Sequence, residues 1–159
     1  MNTQLFDKDQ LNIEEIFKKF YEVPDYQREY VWRKANVLAL LNDIYSAFKE
    51  NAQNAYFIGT TVVATNLKSS PLEVIDGQQR LTTLFILLSI FTQKVTNDRQ
   101  QFLNDLIKNK SWDSFGDLSS RYHLNLNYAN AQKFLEIINT QPSNLIKQLH
   151  SDYGNRLPD

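Results

Sequence analysis

The segment Glu73-Val74-Ile75-Asp76-Gly77-Gln78-Gln79-Arg80-Leu81-Thr82-Thr83 leaves the chain around it little choice. Leu72 to Ile75 is short and rich in β-branched residues, and the spacing predicts a strand. Immediately after Asp76-Gly77 a helical period begins. Leu81, Leu84, Phe85, Leu88, Phe91 and Val95 recur at three- and four-residue intervals, which predicts a helix from Gln78 to about Thr96. With so many apolar residues it is expected to be the central helix. Strand and helix meet at a corner held by one glycine, with no linker to absorb an error in direction.

Such a corner exposes backbone N–H groups that have no intrahelical partner, and the helix dipole adds partial positive charge there. The amides of Gly77, Gln78 and Gln79 therefore favour an anion, with Gly77 presenting no Cβ to keep it away. Arg80 adds a fixed charge whose planar fork suits phosphate oxygens better than a lysine would. The same spacing also fits a purely structural reading. In that reading Asp76 caps the helix, Gln79 completes a capping-box variant, and Arg80 bridges a surface carboxylate. Spacing alone leaves both readings open. Asp76 complicates the first, because a carboxylate repels phosphate unless a metal ion or a sugar hydroxyl intervenes; Mg²⁺ or ribose contact is expected at that residue.

Upstream, Asn12 and Glu15 have capping-box spacing, with Ile13, Ile16, Phe17 and Phe20 following at helical intervals. Tyr21 to Val23 reads as extended, and Pro24 marks a turn. In an extended Asp25 to Trp32 segment, Tyr26, Arg28, Tyr30 and Trp32 would share one side. Alternating aromatics and arginine can stack a base and grip a phosphate, although a half-buried strand would also place aromatics on one side. Lys34 to Glu50 carries Val37, Leu40, Leu41, Ile44, Tyr45 and Phe48 in the pattern of an amphipathic helix packed on a core. Tyr56 to Thr65 reads as a strand interrupted at Gly59, and Asn66 to Pro71 as the hairpin loop joining it antiparallel to Leu72–Ile75. Beyond the central helix, a helix is expected over Asp98–Lys110, an alternating strand over Arg121–Leu126, and a helix over Asn127–Asn139. Leu145, Ile146 and Leu149 suggest a further amphipathic stretch, so the chain is expected to be the N-terminal piece of something longer.

Composition removes several function classes. A length of 159 residues with 42% hydrophobic and 13% aromatic content supports one domain with a real core. Seventeen basic and eighteen acidic side chains leave a net charge of -1, so an anion site must be local. The absence of cysteine excludes disulfides and thiolate metal sites and fits a reducing cytoplasm, where the protein is expected to reside. Met1 to Asp9 has no signal-peptide character, and Leu84 to Phe91, broken by Ser89, falls well short of the roughly 18–20 apolar residues of a membrane span. His123 and His150 stand apart in sequence, without a carboxylate at ligand spacing, and read as structural or surface residues. There is no GxxxxGK[ST], GxGxxG or HExxH motif.

Three motifs in order, Val23-Pro24-Asp25-Tyr26-Gln27-Arg28 with Trp32, Tyr56-Phe57-Ile58-Gly59-Thr60-Thr61-Val62-Val63, and Val74-Ile75-Asp76-Gly77-Gln78-Gln79-Arg80-Leu81-Thr82-Thr83-Leu84, carry a specific likeness. Together they resemble the N-terminal domain of GmrSD-type restriction endonucleases, which are modification-dependent (type IV) enzymes. The resemblance implies a ParB/sulfiredoxin-like α+β fold, a small mixed sheet packed against several helices. By position it implies that Asp76, Gly77, Gln78, Gln79 and Arg80 form a phosphate and hydrolysis site, with Tyr26, Gln27 and Arg28 as a facing wall and Gly59 close by. It further implies binding of a nucleoside triphosphate, GTP or ATP, with Mg²⁺ at Asp76. In such proteins this regulates the cleavage of modified or phage DNA by a separate C-terminal HNH-type nuclease region or subunit. Within that reading Arg80 with Arg28 stabilises phosphate charge and Gln79 positions the attacking water. Residues 1–110 are expected to form the nucleotide-binding core and 111–159 a strand and helical extension leading to further domains. The rival readings are a nucleic-acid-binding module of the same fold without NTPase activity, and a homo-oligomerisation domain whose motifs serve packing.

Overall fold

Asn12 and Glu15 close a reciprocal capping box: the Asn12 side chain accepts from Glu15 N at 2.9 Å and the Glu15 carboxylate accepts from Asn12 N at 2.8 Å. The one-turn helix α1 (Ile13–Ile16) follows and delivers Phe17 to the core. The computed structural model describes residues 8–64, 71–96, 98–112, 118–129 and 131–140. After α1 come β1 (Tyr21–Val23), α2 (Lys34–Glu50), β2 (Val62–Ala64), β3 (Leu72–Asp76), α3 (Gln78–Thr92), α4 (Asp98–Ile107), β4 (Lys108–Trp112), β5 (Leu118–Tyr122), β6 (Leu124–Leu126) and α5 (Ala131–Asn139). The fold is α+β. A four-stranded sheet has the order β2-β3-β1-β6, and β4 and β5 form a separate two-stranded ribbon.

Strand β1 runs parallel to both β3 and β6, whereas β2 is antiparallel to β3 as its sequence neighbourhood suggests. One sheet face supplies Tyr21, Val23, Val74, Leu124 and Leu126 to the core. The other carries Glu22, Ile75 and Asn125 toward solvent, which is the alternation expected of a sheet covered on one side. Helix α3 packs with α4 and α5 and adds Leu81 and Phe85 to the core that the sheet residues share. Phe85 sits at the centre, with ring centroids 5.5 Å from Phe17 and 5.7 Å from Phe134. Among the described residues no helix is long and apolar enough to cross a membrane.

Several boundaries differ from the sequence expectation, each for a tertiary reason. Of the strand expected over Tyr56–Thr65, the described residues 56–61 are not strand and Val62–Ala64 is, because the backbone through Gly59, at φ +125°, leaves the ladder and brings Thr60 and Thr61 against Gly77 at the end of β3; Thr65 lies outside the described residues. Helix α4 stops at Ile107 rather than Lys110, since residues 108–112 pair antiparallel with β5. The single strand expected over Arg121–Leu126 breaks at His123. There the backbone N donates to Ile107 O at 2.9 Å and the carbonyl accepts from Tyr21 N at 2.7 Å, so the chain passes from the ribbon to the main sheet within one residue. Helix α3 ends at Thr92 instead of Thr96, and α5 begins at Ala131 instead of Asn127. Asn127 is held to the sheet instead, its N donating to Val23 O at 3.0 Å and its amide to the Glu22 carboxylate at 2.6 Å. Strand β6 and helix α5 contribute Leu124, Leu126, Phe134 and Ile138 to the core that Phe17, Val74 and Phe85 share. The expected loop over Asn66–Ser70 and the amphipathic stretch at Leu145, Ile146 and Leu149 lie outside the described residues.

Helix α2 has the expected limits but not the expected burial. Only Leu40 is buried along its length, while Tyr45 and Phe48 stay 61% and 62% exposed. Its apolar band is wider than the surface that covers it.

Candidate functional site

Strand register brings the three motifs to one place. Because β1 and β3 are parallel, with Tyr21 opposite Leu72 and Glu22 opposite Glu73, their C-terminal ends lie side by side. The segment after Val23 therefore faces the corner after Asp76. Because β2 is antiparallel to β3, with Val62 opposite Asp76, the residues just before Val62 project past the same end. Ligands commonly bind beyond the carboxyl ends of parallel strands, and here that region is a cleft of about 440 Å³, within the usual range of small-molecule sites.

At the corner, Gly77 is the N-cap of α3 in the left-handed region, φ +88°, and no side chain caps the helix. The capping reading of Asp76 and Gln79 is overturned: Asp76 is the last residue of β3, exposed at the cleft, and Gln79 points elsewhere. The first-turn amides of α3 are thus left without a capping oxygen. A Cβ on Gly77 would lie 2.9 Å from both Thr60 O and Thr61 Oγ1, so the corner needs glycine for contact as well as for φ.

Arg80 lies across Gly59. A Cβ at Gly59 would come within 2.5 Å of Arg80 Nη1 and 2.7 Å of its Cζ, and the same nitrogen donates to Thr60 O at 3.4 Å. The guanidinium meets a carbonyl rather than a bridging carboxylate. The ion pairs Lys18–Glu14 and Lys19–Asp9 lie away from the cleft, and Arg80, Arg28 and Asp76 take part in neither. Two arginines and an uncapped helix N-terminus therefore border one cleft, and the one carboxylate that lines it, Asp76, is not ion-paired to either arginine.

The glutamines perform a task that spacing did not reveal. Gln79 Oε1 accepts from Val31 N at 2.8 Å and Trp32 N at 3.2 Å, and its Nε2 donates to Glu29 O at 3.0 Å. Gln78 Nε2 donates to Arg28 O at 2.9 Å and to Gln27 Oε1 at 3.4 Å, while Gln27 Nε2 donates to Ile75 O at 3.1 Å. Gln78 and Gln79 are both buried. They replace a strand ladder, satisfying backbone groups of residues 28–32 that would otherwise be stranded at the edge of the core. With its oxygen accepting twice and its amide engaged, Gln79 holds the wall of the cleft and is not disposed to orient a water.

The Asp25 to Trp32 segment is not the regular extended stretch that would align Tyr26, Arg28, Tyr30 and Trp32. A turn over 25–27 separates them. Tyr26, 67% exposed, donates its hydroxyl to Glu73, and that bond, ahead of the charges of Glu73 and Asp25, holds its phenol above the ordinary range. Tyr30 goes toward α3, its hydroxyl 2.8 Å from Thr83 Oγ1. Gln27, Arg28 and Trp32 line the cleft, together with Gly59 and the whole Asp76 to Arg80 run; Tyr26 does not. Phe57, Thr60 and Ile75 also line it and were not singled out. Phe57 and Thr60 belong to the Tyr56–Val63 motif, whose glycine was the one signal available.

His123 is buried against Phe20, ring centroids 4.4 Å apart, far from any carboxylate trio; His150 lies outside the described residues. Among the described residues no group of three or more His, Cys, Asp or Glu side chains is arranged to hold a metal. The donor set at the cleft is one exposed carboxylate, Asp76. That does not suit an ion caged by protein alone, but it fits Mg²⁺ arriving with phosphate, which typically uses one or two carboxylates and the ligand's own oxygens.

The family model described as the GmrSD restriction endonuclease, N-terminal domain, matches residues 3–157. A comparison with curated proteins gives no match.

Proposed function

The chain belongs to the GmrSD restriction endonuclease N-terminal domain family, and from that premise we propose that it is the nucleotide-binding regulatory domain of a DNA-restricting, phage-defence protein. One observation carries the reading: Arg80, Arg28 and the uncapped first turn of α3 converge on a single cleft of nucleotide-compatible size. The α3 amides and the two guanidinium groups supply donors and positive charge for the phosphates of a nucleoside triphosphate such as GTP or ATP. Gly59 and Gly77 let the backbone and Arg80 approach closely, and Gln78 and Gln79 keep the Arg28 side of the cleft at a set distance.

In this reading Asp76 would hold Mg²⁺ that arrives with the phosphates. When bound, the ion neutralises phosphate charge and lowers the barrier to attack on the terminal phosphoryl group. The chain's own contribution to hydrolysis is electrostatic: Arg80 and Arg28 stabilise charge on the phosphoryl oxygens, and Asp76 orients whatever donor bridges it to them. Occupancy is the signal passed to a DNA-cleaving nuclease part.

Thermal unfolding with ATP, GTP, CTP and UTP, with and without Mg²⁺, tests this directly, because a ligand that binds the folded state at about 100 times its Kd stabilises by about 2.7 kcal/mol. The wild type is expected to be stabilised and Arg80→Ala not, with Asp76→Asn losing the Mg²⁺-dependent increment and phosphate release. Absence of any nucleotide response, accompanied by strongly salt-dependent binding of a DNA duplex, would overturn the reading in favour of a nucleic-acid module.

A further inference from the structure

Phe57 is the most exposed large apolar side chain among the described residues, at 71%, and it borders the cleft two positions before the glycine under Arg80. Trp32, half-buried, borders the same cleft from the other loop, its backbone N held by Gln79 Oε1 at 3.2 Å. A single exposed aromatic is ordinary. Two of them on separate loops, one held through its backbone to Gln79 and the other two residues from the glycine that Arg80 covers, are a different arrangement. They place two aromatic side chains at the rim of a cationic, donor-rich corner.

We propose that Trp32 and Phe57 form a base subsite, stacking on the nucleobase of a nucleoside triphosphate whose phosphates occupy the Gly77–Arg80 corner; the assignment rests on the nucleotide reading above. The occupant follows from complementarity. An aliphatic ligand offers no acceptor to Arg80, Arg28 and the α3 amides, whereas a nucleotide presents an anion and a π-face on one molecule. Recognition is by the face of the base rather than its edge. Gln27 and Gln79 use both ends of their carboxamides within the protein, and Gln78 uses its amide nitrogen, so the side chains chemically suited to reading a base edge are already engaged. Tyr26 and Tyr30, the other aromatics of the loop, are tied to Glu73 and Thr83 and do not contribute.

The experiment compares nucleoside triphosphates with inorganic tripolyphosphate, which has the anion without the base. Binding to the full chain is measured by calorimetry for wild type, Phe57→Ala, Trp32→Ala and Arg80→Ala. Each aromatic substitution is expected to weaken ATP and UTP roughly tenfold, the usual size for one stacked base, and to leave tripolyphosphate affinity unchanged. Arg80→Ala is expected to weaken all three ligands. Nucleotide-induced quenching of tryptophan fluorescence should disappear in Trp32→Phe, whose binding is largely retained. Phe57 is exposed enough that its removal leaves the fold intact, which its melting temperature without ligand verifies.

Equal losses for ATP and tripolyphosphate in the aromatic variants, or no loss for either, overturn the base subsite while leaving the phosphate site standing. A wild type that binds neither ATP nor tripolyphosphate overturns both.

Discussion

Gly59 and Arg80 share a space that only a hydrogen on the glycine Cα leaves open. In Gly59→Ala the new methyl would meet Arg80 Nη1 at 2.5 Å, and the φ of +125° would strain any residue with a Cβ. The guanidinium is the flexible partner, so it moves. The expected outcome is a loss of about 1–2 kcal/mol of stability, read from the urea midpoint, together with a larger fall in phosphate affinity than that loss explains. Gln79 should behave in the opposite sense, as a structural residue first. Gln79→Met keeps the volume but removes the acceptor for the Val31 and Trp32 amides and the donor to Glu29 O, at a cost of about 2–3 kcal/mol. Gln79→Glu retains the acceptor for Val31 and Trp32 but confronts Glu29 O with a second oxygen, so it should rank between wild type and Gln79→Met in the same measurement.

Among the elements, α2 and α3 are helices of similar length, yet they differ in how they are held. Helix α3 buries Leu81, Thr82, Phe85, Ser89 and Thr92, and its Ser89 and Thr92 hydroxyls donate back to Phe85 O at 3.0 Å and Leu88 O at 2.9 Å, which satisfies polar groups inside the core. Helix α2 buries only Leu40. Amide hydrogen exchange should therefore protect the middle of α3 up to the global unfolding free energy, while α2 exchanges through local opening at a much lower one. Equal protection of the two helices would show that α2 is held by contacts its burial does not account for. The break between β5 and β6 is the other feature that belongs to this scale. A strand reads as continuous when its residues alternate, but pairing with two different partners on either side of His123 divides it.

For the whole molecule, the titration of His123 links pH to stability. Burial pushes its imidazole below the ordinary value of 6.5; the backbone of Phe17 and Lys19 and the Asp105 charge oppose this in part, and the Arg121 charge adds to it. Neither ring nitrogen makes a well-formed hydrogen bond among the described residues. The unfolded chain then binds a proton more readily than the folded one, so stability is fully present above about pH 6.5 and declines as pH falls from there toward the folded value. Urea unfolding at about pH 8, 6 and 5 should show that decline, and His123→Leu should flatten it in that window. Much of the molecule was legible beforehand. The α1 cap, the limits of α2, the β3 strand and the corner at Gly77 follow from spacing and local sterics, because neighbours along the chain decide them. The motifs also named most of the cleft residues and the family. The sequence by itself therefore determined the local elements and the chemical types available: two arginines, a carboxylate, glycines and aromatics. Only the tertiary structure decided that the parallel register of β1 with β3 and the antiparallel register of β2 bring the three motifs to one strand end. It alone decided that the glutamines clamp a backbone segment instead of facing a ligand, that Tyr26 turns to Glu73, and that Phe57 stands at the rim. The reason is physical: which backbone groups lack a partner, and which side chain is near enough to supply one, is a property of elements distant in sequence, and no local pattern encodes it.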